Sequence, residues 1–300
     1  MLRGVIYGAS AAAIWGGMYV VSDVVLEIIP PFTLLLLRLI FGTLSLSIFV
    51  VGKPFPDLNR RAWLDILGVG IIGYGLSLGA QFVGTDLSTA VNGAIVTSAT
   101  PAFVVLFAVI ILHEKLTFRR LLSVILATLG VFIIIDFSQA SFSSDTFVGN
   151  VFLGIAALTW GLYSVLIRWL SHKYPQIDTI FITILSFIGG ILLVIPASAI
   201  ELTRETVVLA DIDAGIILGI LFLGIVSTAV AMWLWNTAFV LLDASTASVL
   251  FFVQPISGAF LAWLFLGQGL SLTIWVGGAL IAVGVLLSLG VNAKAKELEY

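Results

Sequence analysis

An all-α membrane protein is the fold class this sequence predicts, with ten transmembrane helices in two oppositely oriented five-helix repeats and both termini cytoplasmic (N-in/C-in). Three observations carry that expectation. First, the chain is 61% hydrophobic and 10% charged, with a mean hydropathy of +1.22. Soluble domains run near 25% charged, so the wetted surface of a soluble fold could not be built from this composition. Second, a proline-broken apolar pattern occurs twice, at Ala90–Arg120 and at Ala244–Trp275. Third, Lys and Arg fall almost wholly on one side of the spans, as cytoplasmic connections require.

A spanning helix needs about 20 apolar residues. Ten such stretches can be drawn, at 4–26, 32–52, 63–85, 89–112, 120–137, 148–170, 178–200, 214–236, 244–266 and 272–291. The first resembles a signal peptide in its basic residue, apolar run and small residues. Its apolar character continues through Val20, Val21, Val24, Val25 and Leu26, and further spans follow, so it reads as a retained helix. The connections are short. The longest, Ser138 to Thr146 and Glu201 to Asp213, are polar enough for surface loops.

The repeat is read from offsets. Pro101 meets Pro255 (255 − 101 = 154), and at the same spacing Ala90 meets Ala244, Leu116 meets Leu270 and Gly130 meets Gly284. Earlier in each half, Trp15-Gly16 meets Trp160-Gly161 (160 − 15 = 145), and Pro30 meets Pro175. The change in spacing (154 − 145 = 9) places the extra residues in the loop before residue 214. Five spans per half is an odd number, so homologous halves must lie in opposite orientations.

With the N-terminus inside, the inner connections hold Arg3, Lys53, Arg60, Arg61, Lys115, Arg119, Arg120, Arg168, Lys173, Lys294 and Lys296. The outer ones hold Arg204 alone among cations, beside Glu27, Asp86, Asp145, Glu201, Glu205, Asp211 and Asp213; Asp243 is the one inner exception.

Several function classes are excluded. Without cysteines there is no disulfide or thiolate chemistry. His113 and His172 lie far apart in charged connections and read as solvated residues, not a metal pair, so no metal or cofactor is expected. No Lys/Arg patch interleaves with aromatics as nucleic-acid binding needs. Paired aspartates, a Ser/His dyad or an HExxH set within a span would mark an intramembrane enzyme, and none is present. A receptor-like membrane protein remains compatible with composition, although the inverted repeat counts against it.

The ordered set of motifs resembles the drug/metabolite transporter superfamily, and within it the EamA-like ten-helix transporters. The residues carrying the likeness are Trp15-Gly16, Pro31 followed by Arg38, Pro101 followed by His113-Glu114-Lys115-Leu116, Trp160-Gly161, Trp235-Asn236-Thr237-Ala238, and Pro255 through Gly267 to Leu270. One departure is visible: the family often carries a Gly-Glu pair at the hinge after both prolines, and here the hinges read His113-Glu114 and Gly267-Gln268. No transport role is therefore expected of that glutamate, and His113 to Arg120 reads as a topology anchor. The resemblance implies repeats at residues 1–140 and 147–291, a cytoplasmic tail at 292–300 and a central cavity. It also implies alternating access to small organic solutes, commonly export of amino acids and related metabolites. The expected partners are thus a small-molecule substrate and the lipid bilayer.

Candidate substrate-contacting residues follow from polar and aromatic positions at mid-span. Trp15 and Tyr19 share a face of span 1, answered by Trp160, Tyr163 and Ser164 in span 6. Interfacial anchoring competes with cavity lining for the two tryptophans, and their depth favours the cavity. Span 3 aligns Tyr74, Ser77 and Gln81 on one face; an intramembrane glutamine needs a partner on another helix, a water or a substrate. Span 4 offers Asn92, Thr97 and Thr100, span 8 Trp235 and Asn236, and span 9 Phe251 and Gln254. Pro101 and Pro255 each free a backbone carbonyl one turn earlier, to line a wet cavity or merely to kink the helix. Arg38 is expected to be structural or gating, reaching a carbonyl or an interface.

Charge narrows the cargo. Arg38 is the one basic residue deep within a span, and no carboxylate lies at mid-depth. A phosphorylated cargo would want several Arg or Lys, and a lipophilic cation a buried carboxylate. Neutral or zwitterionic solutes remain, with aromatic walls suiting an apolar side chain. No deep ionisable relay points to proton coupling.

Overall fold

In a computed structural model the chain is described apart from residues 89, 136–142, 205–206, 209–210, 267–271 and 298–300. The described residues form helices throughout. They are α1 (Leu2–Leu26), α2 (Pro31–Ile48), α3 (Arg60–Asp86), α4 (Ala90–Thr97 and Thr100–Leu112), α5 (Phe118–Ile134), α6 (Ser144–Lys173), α7 (Thr179–Arg204), α8 (Ala214–Leu241), α9 (Ala244–Val249, Leu250–Phe252 and Val253–Leu266) and α10 (Leu272–Glu297). Seven described stretches are long and apolar enough to cross a membrane, and Thr100–Leu112 is a shorter apolar helix. Large apolar side chains such as Leu44, Ile110, Leu192, Leu218 and Leu286 are exposed on the bundle's outside, where only lipid would accept them. The protein is an all-α, multi-pass membrane protein.

Local chemistry sets the boundaries. Pro31 opens α2, where its missing N–H is no loss, and the helix stops at Ile48, before the expected 52, with Gly52 beyond it at φ +80°. Asn59 and Asp213 cap α3 and α8 through side-chain bonds to the N–H groups of Ala62 and Ile216. Thr117 caps α5, which therefore begins at Phe118. The loops expected at both ends of α6–α7 are partly helical: α6 starts at Ser144, and α7 runs to Arg204 and contains Glu201. Glu201 turns back onto the start of α2, accepting the Phe32 and Thr33 N–H groups at 2.9 and 2.7 Å.

Two features at repeat-equivalent positions were not expected. α3 widens to a π-helix over Ile71–Ser77, and α8 does so over Phe222–Val230. Both proline spans also break just before the proline, α4 after Thr97 and α9 in a 3-10 turn at Leu250–Phe252.

The main packing pairs recur when each helix is replaced by the one five places along. α1 packs on α8 and α9 as α6 packs on α3 and α4, α2 meets α8 as α7 meets α3, and α2–α7, α4–α9 and α5–α10 pair across the exchange. Glycines let these pairs approach. A side chain at Gly16 would strike Ser257 of α9, and one at Gly161 would lie 2.8 Å from Phe103 of α4. A Cβ at Gly130 would lie 2.6 Å from the Gly277 carbonyl, and one at Gly284 2.7 Å from the Ser123 carbonyl. Such contacts are how helices associate where lipid removes the hydrophobic drive.

Candidate functional site

Where α1, α3, α6, α7, α8 and α9 converge, the bundle holds an aromatic and polar cluster. Trp15 lies edge-on to Trp160 at 5.8 Å and tilted against Trp235 at 5.2 Å and Phe251 at 6.5 Å. Its Nε1–H donates to the Ser227 carbonyl at 3.0 Å, within the π segment of α8. Trp15 and Trp160 are only 4% and 7% exposed, which excludes an interfacial position for either ring.

Beside the tryptophans, Tyr74 rides on the π segment of α3 and meets the Tyr163 ring at 5.0 Å and Phe187 at 4.7 Å. The two tyrosine hydroxyls bond to each other. Tyr163 also donates to Asn236 Oδ1 at 2.8 Å, so the proton between the hydroxyls comes from Tyr74. Asn236 Nδ2 donates to Thr183 Oγ1 at 3.0 Å and, weakly, to Tyr74 Oη at 3.4 Å. Ser164 accepts from Trp235 Nε1 at 3.3 Å and donates to the Trp160 carbonyl at 2.9 Å.

Three polar atoms on or next to the cluster are buried without a hydrogen-bond partner among the described residues: Trp160 Nε1 and the hydroxyls of Ser186 and Ser227. An unmade bond in such a place costs about 1–3 kcal/mol. A solute offering a matching acceptor or donor would recover that cost.

The structure thus brings together Trp15, Tyr74, Trp160, Tyr163, Ser164, Trp235, Asn236 and Phe251. It places the other expected residues elsewhere. Ser77 donates to the Ala156 carbonyl at 2.8 Å and joins α3 to α6. Gln81 is half-buried two turns beyond Tyr74, its carbonyl taken by Thr85. Asn92 donates to Ser88 at 3.0 Å and Asn150 at 2.9 Å, tying α4 to α6. Thr97 bonds back to the Gly93 carbonyl of its own helix, and Thr100 is buried beside Pro101 at the start of the second α4 segment. The Gln254 carbonyl lies beside Gly16 and accepts from the Ser257 hydroxyl at 2.9 Å. The side chain of Tyr19, like Gly267, Gln268 and Leu270, lies outside the described residues.

Arg38 does not snorkel to an interface. It is buried, with Nε on Thr228 Oγ1 and Nη2 on Met18 Sδ, both at 3.1 Å. Four participants escaped the reading of the sequence: Thr183, Ser186 and Phe187 of α7, and Ser227. A signal existed for α7, because Thr179, Thr183 and Ser186 recur at steps of four and three in an otherwise apolar helix.

Behind Tyr74, between α3, α6 and α7, lies a separate groove of about 400 Å³, lined by Gly75, Leu76, Phe152, Ile155 and Leu193 with Phe32 at one rim. Its walls are almost wholly apolar. Among the described residues no group of three His, Cys, Asp or Glu could hold a metal.

Comparison with known proteins agrees with this architecture. The EamA-like transporter family model matches residues 2–136 and again 147–290. The uncharacterized transporter YoaV of Bacillus subtilis is 25% identical over 93% of this chain and 94% of its own. An uncharacterized transporter of Archaeoglobus fulgidus is 25% identical over 92% and 93%. The uncharacterized inner membrane transporter YicL of Salmonella typhimurium is 25% identical over 95% and 94%. A solved crystal structure superposes with a TM-score of 0.80 over 99% of each chain at 18% identity, a likeness of fold.

Proposed function

The chain belongs to the EamA-like transporter family, whose members are transporters and not enzymes, and from that premise we propose that it carries neutral or zwitterionic metabolites, amino acids above all, outward by alternating access. The observation that carries the reading is the uncharged, aromatic-walled polar cluster at mid-depth. Trp15, Trp160, Trp235 and Phe251 supply walls that suit an apolar or aromatic side chain. Tyr74, Tyr163, Ser164 and Asn236 supply donors and acceptors without formal charge, and the unpartnered Trp160 N–H is a further donor. A phosphorylated cargo would bring charge that nothing in the cluster neutralises.

In this reading the halves are inverted repeats, supported by the exchange pattern of helix contacts and the paired π segments. Both termini are cytoplasmic, supported by the Lys/Arg distribution. A different small organic solute or a drug would fit the same uncharged walls. Proteoliposomes challenged with labelled amino acids, sugars, nucleotides and cationic drugs decide between them. Flux of amino acids sets the reading on its feet, and flux confined to phosphorylated solutes ends it.

A further inference from the structure

A second polar cluster lies about one helical turn beyond the aromatic one, with Phe239 between Trp235 and Arg168, at the bundle end that carries most of the Lys and Arg. His113 takes a left-handed turn at φ 56°, which ends α4 and folds Glu114 back over the bundle. Glu114 then caps the next repeat's proline helix, α9: Oε1 accepts the Ala244 N–H at 2.7 Å, and Oε2 accepts the Ser245 hydroxyl at 2.7 Å and its N–H at 3.3 Å. Two arginines flank the carboxylate. Arg120 of α5 lies 3.6 Å from Oε2 and 2.7 Å from Asp243, and Arg168 of α6 lies 3.6 Å from Oε1 and 3.4 Å from Asp243. Arg168 also donates to the carbonyls of Phe239, Val240 and Leu242 at the end of α8. The side chains of Glu114, Arg120 and Arg168 are 10%, 9% and 14% exposed, unlike an ordinary solvated loop.

The ends joined are telling. α6 packs mainly with α3 and α4, and also meets α8, while α1 packs mainly with α8 and α9. The ionic cluster bolts the first of these groups, with α5, to the end of the second. The repeat does not reproduce it. At equivalent positions Glu114 meets Gln268, Arg120 meets Ile274 and Asp243 meets Thr89, while Arg168 meets Asp23. A scaffold whose main packing pairs recur on exchange therefore carries this ionic closure in sequence at one end only.

We infer that Glu114, Arg120, Arg168 and Asp243 are positioning residues for the transport cycle: a latch that seals the Lys/Arg-rich end of the pathway and must part for solute to enter from that side. The inference rests on the carrier reading above. It also reverses the expectation that Glu114 has no part in transport.

The chain's lack of cysteine permits a direct test. Ala247 is fully buried one turn inside the latch, so an Ala247→Cys variant reports access. Full-length protein in vesicles of either orientation is treated with a membrane-impermeant maleimide. The parent is expected to react slowly from both faces. Glu114→Gln and Arg168→Gln are expected to accelerate labelling at least about tenfold from the Lys/Arg-rich face alone, since removing one partner of a buried ion network strands the others. Glu114→Asp should keep most of the protection, and Asp243→Asn, which spares the cap, should give a smaller acceleration. Lys173→Met, which removes a 41%-exposed ion pair with Asp65 on the same face, should give none. The latch is overturned if monodisperse Glu114 and Arg168 variants label like the parent, label equally from both faces, or match Lys173→Met. If labelling follows the expected pattern while no solute in the panel is carried, the cargo assignment falls and the latch stands. If solute is carried and labelling ignores all four substitutions, the latch alone falls.

Discussion

Replacing Asn236 by leucine separates a solute-contacting asparagine from a merely structural one. Asn236 is fully buried and makes two good bonds, to Tyr163 at 2.8 Å and Thr183 at 3.0 Å, and one long bond to Tyr74 at 3.4 Å. Interhelical hydrogen bonds in membrane proteins average about 0.6 kcal/mol, so losing the set should cost about 1.5 kcal/mol. Asn92 is an internal control: equally buried, with bonds to Ser88 and Asn150 at 3.0 and 2.9 Å, but remote from the aromatic cluster. Asn92→Leu should therefore cost about 1 kcal/mol by the same reckoning. Stability is read by denaturant unfolding in detergent, and KM by counterflow in proteoliposomes. Both variants are expected to lose stability, but only Asn236→Leu should raise KM, by roughly tenfold if one solute hydrogen bond goes with it. Equal KM changes in the two variants, or none in Asn236→Leu, would refute the placement of the site.

Three further outcomes are expected. Trp160→Phe keeps an aromatic ring against Trp15 but deletes the unpartnered N–H and part of the buried ring system, so stability should fall by about 1–2 kcal/mol while KM rises; an unchanged KM would return Trp160 to packing alone. Glu201→Ala removes the acceptor of the Phe32 and Thr33 N–H groups and should cost about 1–2 kcal/mol in unfolding measurements. Gly277→Leu places a side chain against the Gly130 carbonyl; it should cost about 1–3 kcal/mol and lower the aggregation temperature by parting α5 from α10.

The helical stretches were legible in the sequence because apolar length is a one-dimensional property. So were the tryptophans at 15 and 160, whose mid-span depth sets them apart from lipid-interface anchors. The π segments of α3 and α8 left no such trace. They are a change in hydrogen-bond register beside close helix contacts, Gly70 on Ser186 and Gly224 on Phe41, which are defined only once the helices are assembled. Asn92 and Gln81 show the converse limit. A polar residue in an apolar helix must find a partner, but the sequence does not say whether that partner is solute or helix. For a related reason the sequence did not show that Glu114 is largely buried and caps α9. Comparison with Gln268 treated the repeats as doing equal work, whereas the two ends of a carrier must differ whenever one is closed.

That last point bears on how the scaffold could move solute at all. If two halves of similar packing exchange conformations, the inward- and outward-facing arrangements make much the same apolar contacts, and their energies nearly cancel. A residual difference of a few kcal/mol then sets which one is populated. On the latch inference, part of that difference falls to elements the repeat does not share, among them the Glu114–Arg120–Arg168–Asp243 cluster at one end and the Glu201 cap on α2 at the other. Weakening the first should favour opening at its own end, and weakening the second should leave that end shut. In the Ala247→Cys background, Glu201→Ala is therefore expected to leave maleimide labelling from the Lys/Arg-rich face at the parent rate. Acceleration there by Glu201→Ala, to the extent seen with Glu114→Gln, would mean that loosening anywhere opens the bundle and that neither feature selects an end.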